Sequence, residues 1–378
     1  MQILHICRNV PVKNLKGNDI IWKIIENNAS LYNHEQKVLF PAEYVPNVPF
    51  LPERYSTFSE LVGTSCERGY DVLFYKYFRL PRKLAFNISD KCLNFSQVKR
   101  YVDGIECIHA HYIMPDGYVA KKLADLYQVP YLISVRQGDI DRIKKLSKNS
   151  IAYKKYKSTL ISSSAIISIN PSIKRFLKSE FEVDSHLLPH GIESKTINEG
   201  NKIRNNKIIN VLCVSQFIDR KNISWVIELA SKLDSTRMFN FTVVGDGELK
   251  SHLQSLAGKN VSFTGWLSKS ELDDVYVESD IFLLPSENET FGMVYIEAAA
   301  KECLIVGKAN TGLDGYFTHG KDAFFVNSKE DLMSLFLKIS SGCIDWKSIA
   351  YNGKKKTKET FVWEIISKRY NDIYNELS

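Results

Sequence analysis

Two carboxylates, Glu289 and Glu297, stand eight residues apart in the stretch Ile281–Ala300, IFLLPSENETFGMVYIEAAA. The stretch opens on an apolar run, Ile281–Leu284, flanked by Asp280 and Pro285, which reads as a buried parallel strand. Ser286–Glu289 is polar and too short for more than a loop, and good helix formers then run from Phe291 to Ala300. A strand that feeds a helix start through a polar turn is a place to bind an anion. Free N–H groups and the positive end of the helix dipole both point there. Along a helix the offset between the acids is just over two turns, roughly 12 Å, so the two share a broad face. A carboxylate repels phosphate. These two are better suited to accept hydrogen bonds from hydroxyls on either side of a phosphate held at the helix start. Gly292 lets a ligand approach the backbone closely. A sugar–diphosphate–ribose ligand has that layout. An ordinary strand–loop–helix with two solvated acids has the same spacing, and the spacing leaves both readings open.

Other residues are typed and spaced for chemistry. Arg220-Lys221 follows the strand-like run Val211–Val214. Cations at a helix start oppose the dipole, which favours an anion-binding role over a solvated face. Gly245-Asp246-Gly247 joins a strand to a helix, a weak nucleotide signal because Lys250 stands where a third glycine is expected. Trp266, after Gly265, is able to stack on a base or to sit in the core. His109 and His111, at the end of a strand, point to the same side. With no third ligand evident nearby, a metal site is discounted. His109 reads as a buried structural residue and His111 as one facing a cleft, since strand C-terminal ends are where such sheets bind ligands.

The segment Glu289-Thr-Phe-Gly-Met-Val-Tyr-Ile-Glu297 resembles the E-x7-E motif of the retaining, GT-B-fold glycosyltransferases of family 4. Pro285, Ser286, Glu289, Phe291, Gly292, Glu297, Ala298 and Ala300 all match the common form P-S-x-x-E-x-F-G-x-x-x-x-E-A-x-A. The resemblance implies that Glu289 fixes the donor hexose, that Glu297 holds the ribose, and that Thr290, Phe291, Gly292 and Met293 line the donor. Val211–Asn222 is similar to the family segment V-G-R-x-x-x-x-K-[GN]. Lys221 then matches the lysine on the donor diphosphate. Ser215 and Gln216 replace the usual glycine and arginine, and Arg220 is the residue able to stand in. Gly245 and Gly247 match the V-G-x-G turn of the nucleotide pocket, and Gly265 with Trp266 matches the segment whose backbone contacts the base. His109-Ala-His111, followed by Pro115 and Gly117, is a pattern common among members that build bacterial surface polysaccharides, which implies a catalytic His111. Ser134–Asp139 is similar to T-x-H-G-x-D, with Arg136 in place of the histidine and Gln137 in place of the glycine. Arg136 then offers a permanent charge to a donor or acceptor phosphate. Gly17 matches the second glycine of an N-terminal G-G loop that faces the leaving diphosphate, with Lys16 in place of the first. Gly315 stands where the family often has an acid.

Elements that would carry these residues follow from the alternation of short apolar runs with amphipathic stretches. Strands are expected at Ile3–Cys7, Lys37–Phe40, Val72–Tyr75, Cys107–His109, Tyr131–Val135 and Ala165–Ile169. A second series begins at Ile209–Val214 and continues through Asn240–Val244, Val261–Phe263, Ile281–Leu284, Leu304–Val306 and Ala323–Val326. The polar stretch Glu193–Lys207 reads as a linker, and proline-rich Val45–Phe58 as an irregular excursion. The fold class expected is α/β, with two doubly wound, Rossmann-like domains facing a central cleft, which is the GT-B architecture. The divisions are residues 1–192 for an acceptor domain, 193–207 for the linker and 208–360 for the nucleotide-sugar domain. In the resembled family, a helix like the one at 361–378 crosses back to the first domain.

The chain has 378 residues, 44% of them hydrophobic, enough for two ordinary domains and too many for disorder. Seven scattered cysteines with no C-x-x-C pair fit reduced thiols in a cytoplasmic protein. No signal peptide is evident at the N-terminus, and no apolar run approaches the ~20 residues of a membrane span. A net charge of +7 suits phosphate-bearing ligands or an anionic surface and does not single out nucleic acid. Arg142, Lys144, Lys145, Lys148, Lys154, Lys155 and Lys157 form either a solvated face or a contact with the inner face of an anionic membrane. The resemblance thus implies metal-free transfer of a sugar from a nucleotide diphosphate sugar to a glycan or lipid-linked acceptor, in capsule, O-antigen or exopolysaccharide synthesis. A catalytically weak homologue that binds the sugar nucleotide and serves as a partner subunit is the alternative.

Overall fold

A computed structural model describes the chain except for residues 14, 45–57, 59, 79–94, 96, 97, 199, 201, 203, 205–207, 288 and 378. Apart from Phe58, the excursion expected at Val45–Phe58 lies outside the described residues. The chain divides into two compact units. One comprises Met1–Ile169, Ile173–Leu188 and Ser367–Ser378, and the other Asn170–Ser172 and Pro189–Ile366.

Among the described residues the first unit holds eight strands: β1 (Gln2–Ile6), β2 (Glu35–Tyr44), β3 (Thr64–Glu67), β4 (Tyr70–Phe78), β5 (Cys107–Ala110), β6 (Tyr131–Val135), β7 (Ala165–Ser168) and β8 (His186–Leu187). They lie in the order β3-β4-β2-β1-β5-β6-β7-β8, and all pairs are parallel except β3 with β4. Alternation along β2 sends Val38 and Phe40 to one face, against Trp22 of helix Ile20–Tyr32. It sends Leu39 to the other, with Val119 and Leu123 of helix Tyr118–Tyr127. Both faces are therefore covered, which is why these strands read as near-continuous apolar runs.

Among the described residues the second unit has six parallel strands: β9 (Ile209–Val214), β10 (Phe239–Val244), β11 (Val261–Gly265), β12 (Ile281–Leu284), β13 (Leu304–Lys308) and β14 (Phe324–Val326), in the order β11-β10-β9-β12-β13-β14. In each sheet the chain winds outward one way, returns to the middle and winds outward the other way. The reversal falls between β1 and β5 in the first unit and between β9 and β12 in the second. At such a reversal the loops leaving the two central strands part to opposite faces and open a crevice at the strands' carboxyl ends. Lys221 and Glu289 lie on the loops after β9 and β12. Arg8 and His111 lie on those after β1 and β5.

Two glycines lock the strand ends of the second unit together. Gly245 has φ +134°, and a Cβ there would meet the Ser215 carbonyl oxygen at 1.8 Å; one on Gly247 would meet the Phe217 oxygen at 2.5 Å. That close approach lets Phe217 N–H donate to the Asp246 carbonyl at 2.9 Å and Gly245 N–H to the Gly265 carbonyl at 2.9 Å. The backbones of three adjacent loops are thus fixed. Gly245→Ala should lower stability to chemical denaturation by about 3 kcal/mol, with Gly138→Ala as a neutral control because nothing lies within 4 Å of its Cβ position. Equal stability of the two variants would contradict the lock.

Candidate active site

The centre of the second unit's crevice is an ion pair. Lys221 closes a short 3₁₀ turn, Asp219–Lys221, after β9, and its Nζ donates to Glu289 Oε2 on the loop after β12. Both side chains are largely buried, at 11% and 13% exposure. The two loops are also joined through backbone. Glu287 N–H donates to the Arg220 carbonyl at 2.7 Å, and Asn222 Nδ2 donates to the Pro285 carbonyl at 2.9 Å. Asn222 turns with φ +51°. Gly312 N–H holds the Glu289 carbonyl at 3.0 Å.

The helix after β12 begins at Met293, not at Phe291, because Gly292 adopts φ +77°. A Cβ on Gly292 would strike the Tyr295 ring at 2.4 Å. Glu289 therefore sits on the loop four residues before the helix, and the shared helical face expected for the two acids does not form. Glu297 lies within the helix and accepts from the Tyr276 hydroxyl at 3.3 Å. Burial raises its pKa, and the Tyr276 hydrogen bond and the Lys269 charge oppose the shift. Phe291 is buried, with the His190 ring edge-on at 5.2 Å, and Asn170 donates its amide to the Thr290 carbonyl. Those two buttresses were not legible beforehand; they lie 101 and 120 residues away in sequence from what they support. Arg220 and Gln216 are exposed at the end of β9. Trp266 is 61% exposed, which leaves its indole outside the core.

In the first unit the parallel register of β1 and β5 places His5 opposite His109. His5, His109 and His111 are all fully buried, and their ligand atoms lie within 4.8 Å of one another. A third imidazole is thus present where the sequence showed none, contributed by β1. The rings are engaged with one another and with their surroundings. His5 Nδ1 and His111 Nε2 share a hydrogen at 2.9 Å, and His5 Nε2 bonds Gln36. His109 meets the Tyr374 hydroxyl and Ser134 Oγ, each at 2.8 Å. Both nitrogens of His5 and of His109 are therefore occupied by hydrogen bonds, as in a polar network that holds strands and the C-terminal helix together.

His111, expected to face a cleft, is inside this network with no exposed surface. What it offers to a site is its carbonyl, which accepts from Arg136 Nε at 3.1 Å. The Arg136 guanidinium lies over the Tyr112 ring at 5.3 Å and is only 4% exposed. Gly17 is required by its own loop, since a Cβ there would lie 2.5 Å from the Asn9 carbonyl oxygen; Lys16 beside it is exposed. Of the basic segment, Arg142, Lys144, Lys145, Lys148, Lys154 and Lys157 are exposed, and Lys148 pairs with Glu180 at 2.8 Å.

Residues 194–356 match the model of the family described as glycosyl transferases group 1. An uncharacterized glycosyltransferase of Methanocaldococcus jannaschii is 27% identical over 283 residues, 73% of this chain and 77% of that protein. The alpha-monoglucosyldiacylglycerol synthase of Acholeplasma laidlawii is 24% identical over 328 residues, 81% of this chain and 79% of that protein. Among solved structures, Anabaena HepE in complex with UDP superposes with a TM-score of 0.73 at 15% identity, covering all of both chains. The fold is GT-B, and the matches support a group 1 glycosyltransferase whose chemistry is sugar transfer.

Burial lowers the pKa of His5 from 6.5 to about 4. The fold favours neutral His5, so its contribution is fully present above about 6.5 and is lost as pH falls toward about 4. Buried Asp139, whose pKa is raised, contributes with the opposite sign. The difference between wild type and His5→Gln isolates the histidine. That difference in unfolding free energy should shrink by about 3 kcal/mol between pH 7 and pH 4. A pH-independent difference would contradict the neutral, buried state of His5.

Proposed function

We propose that this protein is a retaining glycosyltransferase that moves a sugar from a nucleotide diphosphate sugar to a glycan or lipid-linked acceptor in bacterial surface-polysaccharide synthesis. The observation that carries the reading is the Lys221–Glu289 pair at the reversal between β9 and β12. A cation and an acid held side by side suit a ligand with a phosphate next to a hydroxylated ring. The diphosphate takes Lys221, and Glu289 is released to accept from sugar hydroxyls. Glu297, half-buried and one helical turn past Met293, is assigned to the ribose, and Trp266 to the base. As the glycosidic bond breaks, negative charge grows on the diphosphate and positive charge on the sugar. Lys221 and Glu289 then each strengthen in the transition state, which is where stabilisation accelerates the reaction. Arg136 is assigned to a phosphate of donor or acceptor.

Transfer is proposed to need no metal, because these side chains supply the charge that a cation would. The alternative, a catalytically weak subunit that binds the sugar nucleotide, rests on Gln216, Arg136 and Gly315; nucleotide-sugar hydrolysis by purified protein separates the two. The exposed Arg142–Lys157 face is proposed to meet anionic lipid at the inner membrane surface. Each basic residue near such a surface contributes about 1 kcal/mol, screened by salt.

With the donor identified by thermal shift, Glu289→Gln should lower kcat by about a hundredfold or more, whereas Glu297→Gln should mainly raise the donor KM. Wild-type activity should persist in EDTA. Near-normal kcat in Glu289→Gln with donor binding intact would sink the assignment. Charge reversal at Lys144, Lys145, Lys154 and Lys155 should release the protein from phosphatidylglycerol vesicles, and unchanged co-sedimentation would leave that face as a solvated surface.

A further inference from the structure

Asp116 and Asp139 are buried carboxyls of the first unit with no exposed surface, Asp116 on the turn after β5 and Asp139 in the first turn of helix Gln137–Ile143. Asp139 Oδ2 accepts the Arg136 backbone N–H at 3.1 Å, and its Oδ1 accepts the Ile113 N–H at 3.2 Å. It therefore ties the loop after β6 to the loop after β5. Asp116, on the loop after β5, accepts the Arg8 N–H at 3.1 Å and ties that loop to the one after β1. The loop after β1 continues the chain of contacts: Asn9 Nδ2 donates to the Tyr112 hydroxyl at 2.9 Å, and Asn18 N–H donates to the Asn9 carbonyl at 2.6 Å. Gly17 and Lys16 sit beside that last bond.

We propose that the two carboxyls form a clamp across the ends of β1, β5 and β6, and that Asp139 is the positioning residue for Arg136. The proposal rests on the phosphate role given to Arg136 above. An ionised carboxylate is acceptor-only, so each of its two oxygens takes an N–H from a different segment, whereas an amide in the same place would turn an NH2 donor toward one of them. Keeping an acid dry costs free energy. Here it fixes the N-cap of helix Gln137–Ile143, from which the Arg136 side chain departs toward the His111 carbonyl and the Tyr112 ring. A shift of that cap moves the guanidinium with it.

The clamp carries a pH dependence. The groups facing Asp139 are Arg136 and Arg142 from its own segment and Asp116 from the turn after β5. Asp116 in turn faces Arg8 and Arg136. Burial outweighs the lowering by the Arg136 N–H and the Arg142 charge, and the Asp139 pKa rises to about 6. Once protonated, Asp139 carries an O–H donor on one of its two oxygens, and the N–H group facing that oxygen loses the carboxylate acceptor it has at higher pH. Because the folded value is raised, this protonation favours the fold over the unfolded chain, so the loss near pH 6 is one of alignment.

The test is the kcat profile from pH 5 to pH 8.5 for wild type, Asp139→Asn and Arg136→Gln, with melting temperatures measured alongside. Wild type should show an acid limb near pH 6 while still folded. Asp139→Asn should lower kcat at pH 7.5 by about tenfold to a hundredfold, the scale of a small misplacement of a reacting group, and should lose the limb. Arg136→Gln should lose the same limb, a readout that stands even if Asp139→Asn does not fold. Lowered kcat in Arg136→Gln with the limb retained would overturn the clamp and leave the role of Arg136 standing. Wild-type kcat in Arg136→Gln would overturn that role, and the clamp with it.

Discussion

The second unit is organised around one contact, the pairing of Lys221 with Glu289. A pair this deep in protein is weak evidence for stability, since the desolvation of two charges offsets much of their attraction. Removing one partner is the costly event, because it leaves the other charge dry and alone. The surrounding structure is built to hold both in place. Asn222 and Gly292 accept left-handed backbone, Gly312 grips the Glu289 carbonyl, and the Arg220 carbonyl grips the loop after β12. Such spending of conformational freedom around an ion pair suits a pair that a ligand separates better than one that only stabilises the fold.

The same constraint governs both units. A parallel sheet that reverses its winding direction leaves a crevice at the reversal, and the polar residues collect there. In the second unit the crevice holds Lys221 and Glu289. In the first, Arg8 lies on the loop after β1, while His111 and Asp116 are buried behind the loop after β5 with His5 and His109. No repeat in sequence links the two units, so the likeness comes from topology.

Much of this was legible in the sequence where the physics is local. Tyr131–Val135, Ile209–Val214 and Ile281–Leu284 have the bounds that their apolar runs implied, because a strand covered on both faces shows as an uninterrupted run. The edge strand Thr64–Glu67 did not show, being short, polar and half-exposed. The helix after β12 starts two residues later than its run of helix formers implies, since a glycine with positive φ ends the preceding loop in a way that composition does not reveal. The polar contacts were least visible. His5 meets His111 across 106 residues, Lys221 meets Glu289 across 68, and Asp139 reaches Ile113 across 26. Those distances close only once strand order and register are known. The signals that remained were chemical: a histidine inside an apolar strand, and acids beside glycine and proline at strand ends.

The exchange of Lys221 from Glu289 to a diphosphate is open to direct measurement by calorimetry with a nucleoside diphosphate that carries no sugar. Such a ligand has to displace Glu289 and gains nothing from it in return. Glu289→Gln should therefore bind the bare nucleotide more tightly than wild type, by about tenfold for a competing charge of roughly 1.4 kcal/mol. Equal or weaker binding in the variant, with the fold intact, would contradict the view that Glu289 holds Lys221 in reserve for the diphosphate.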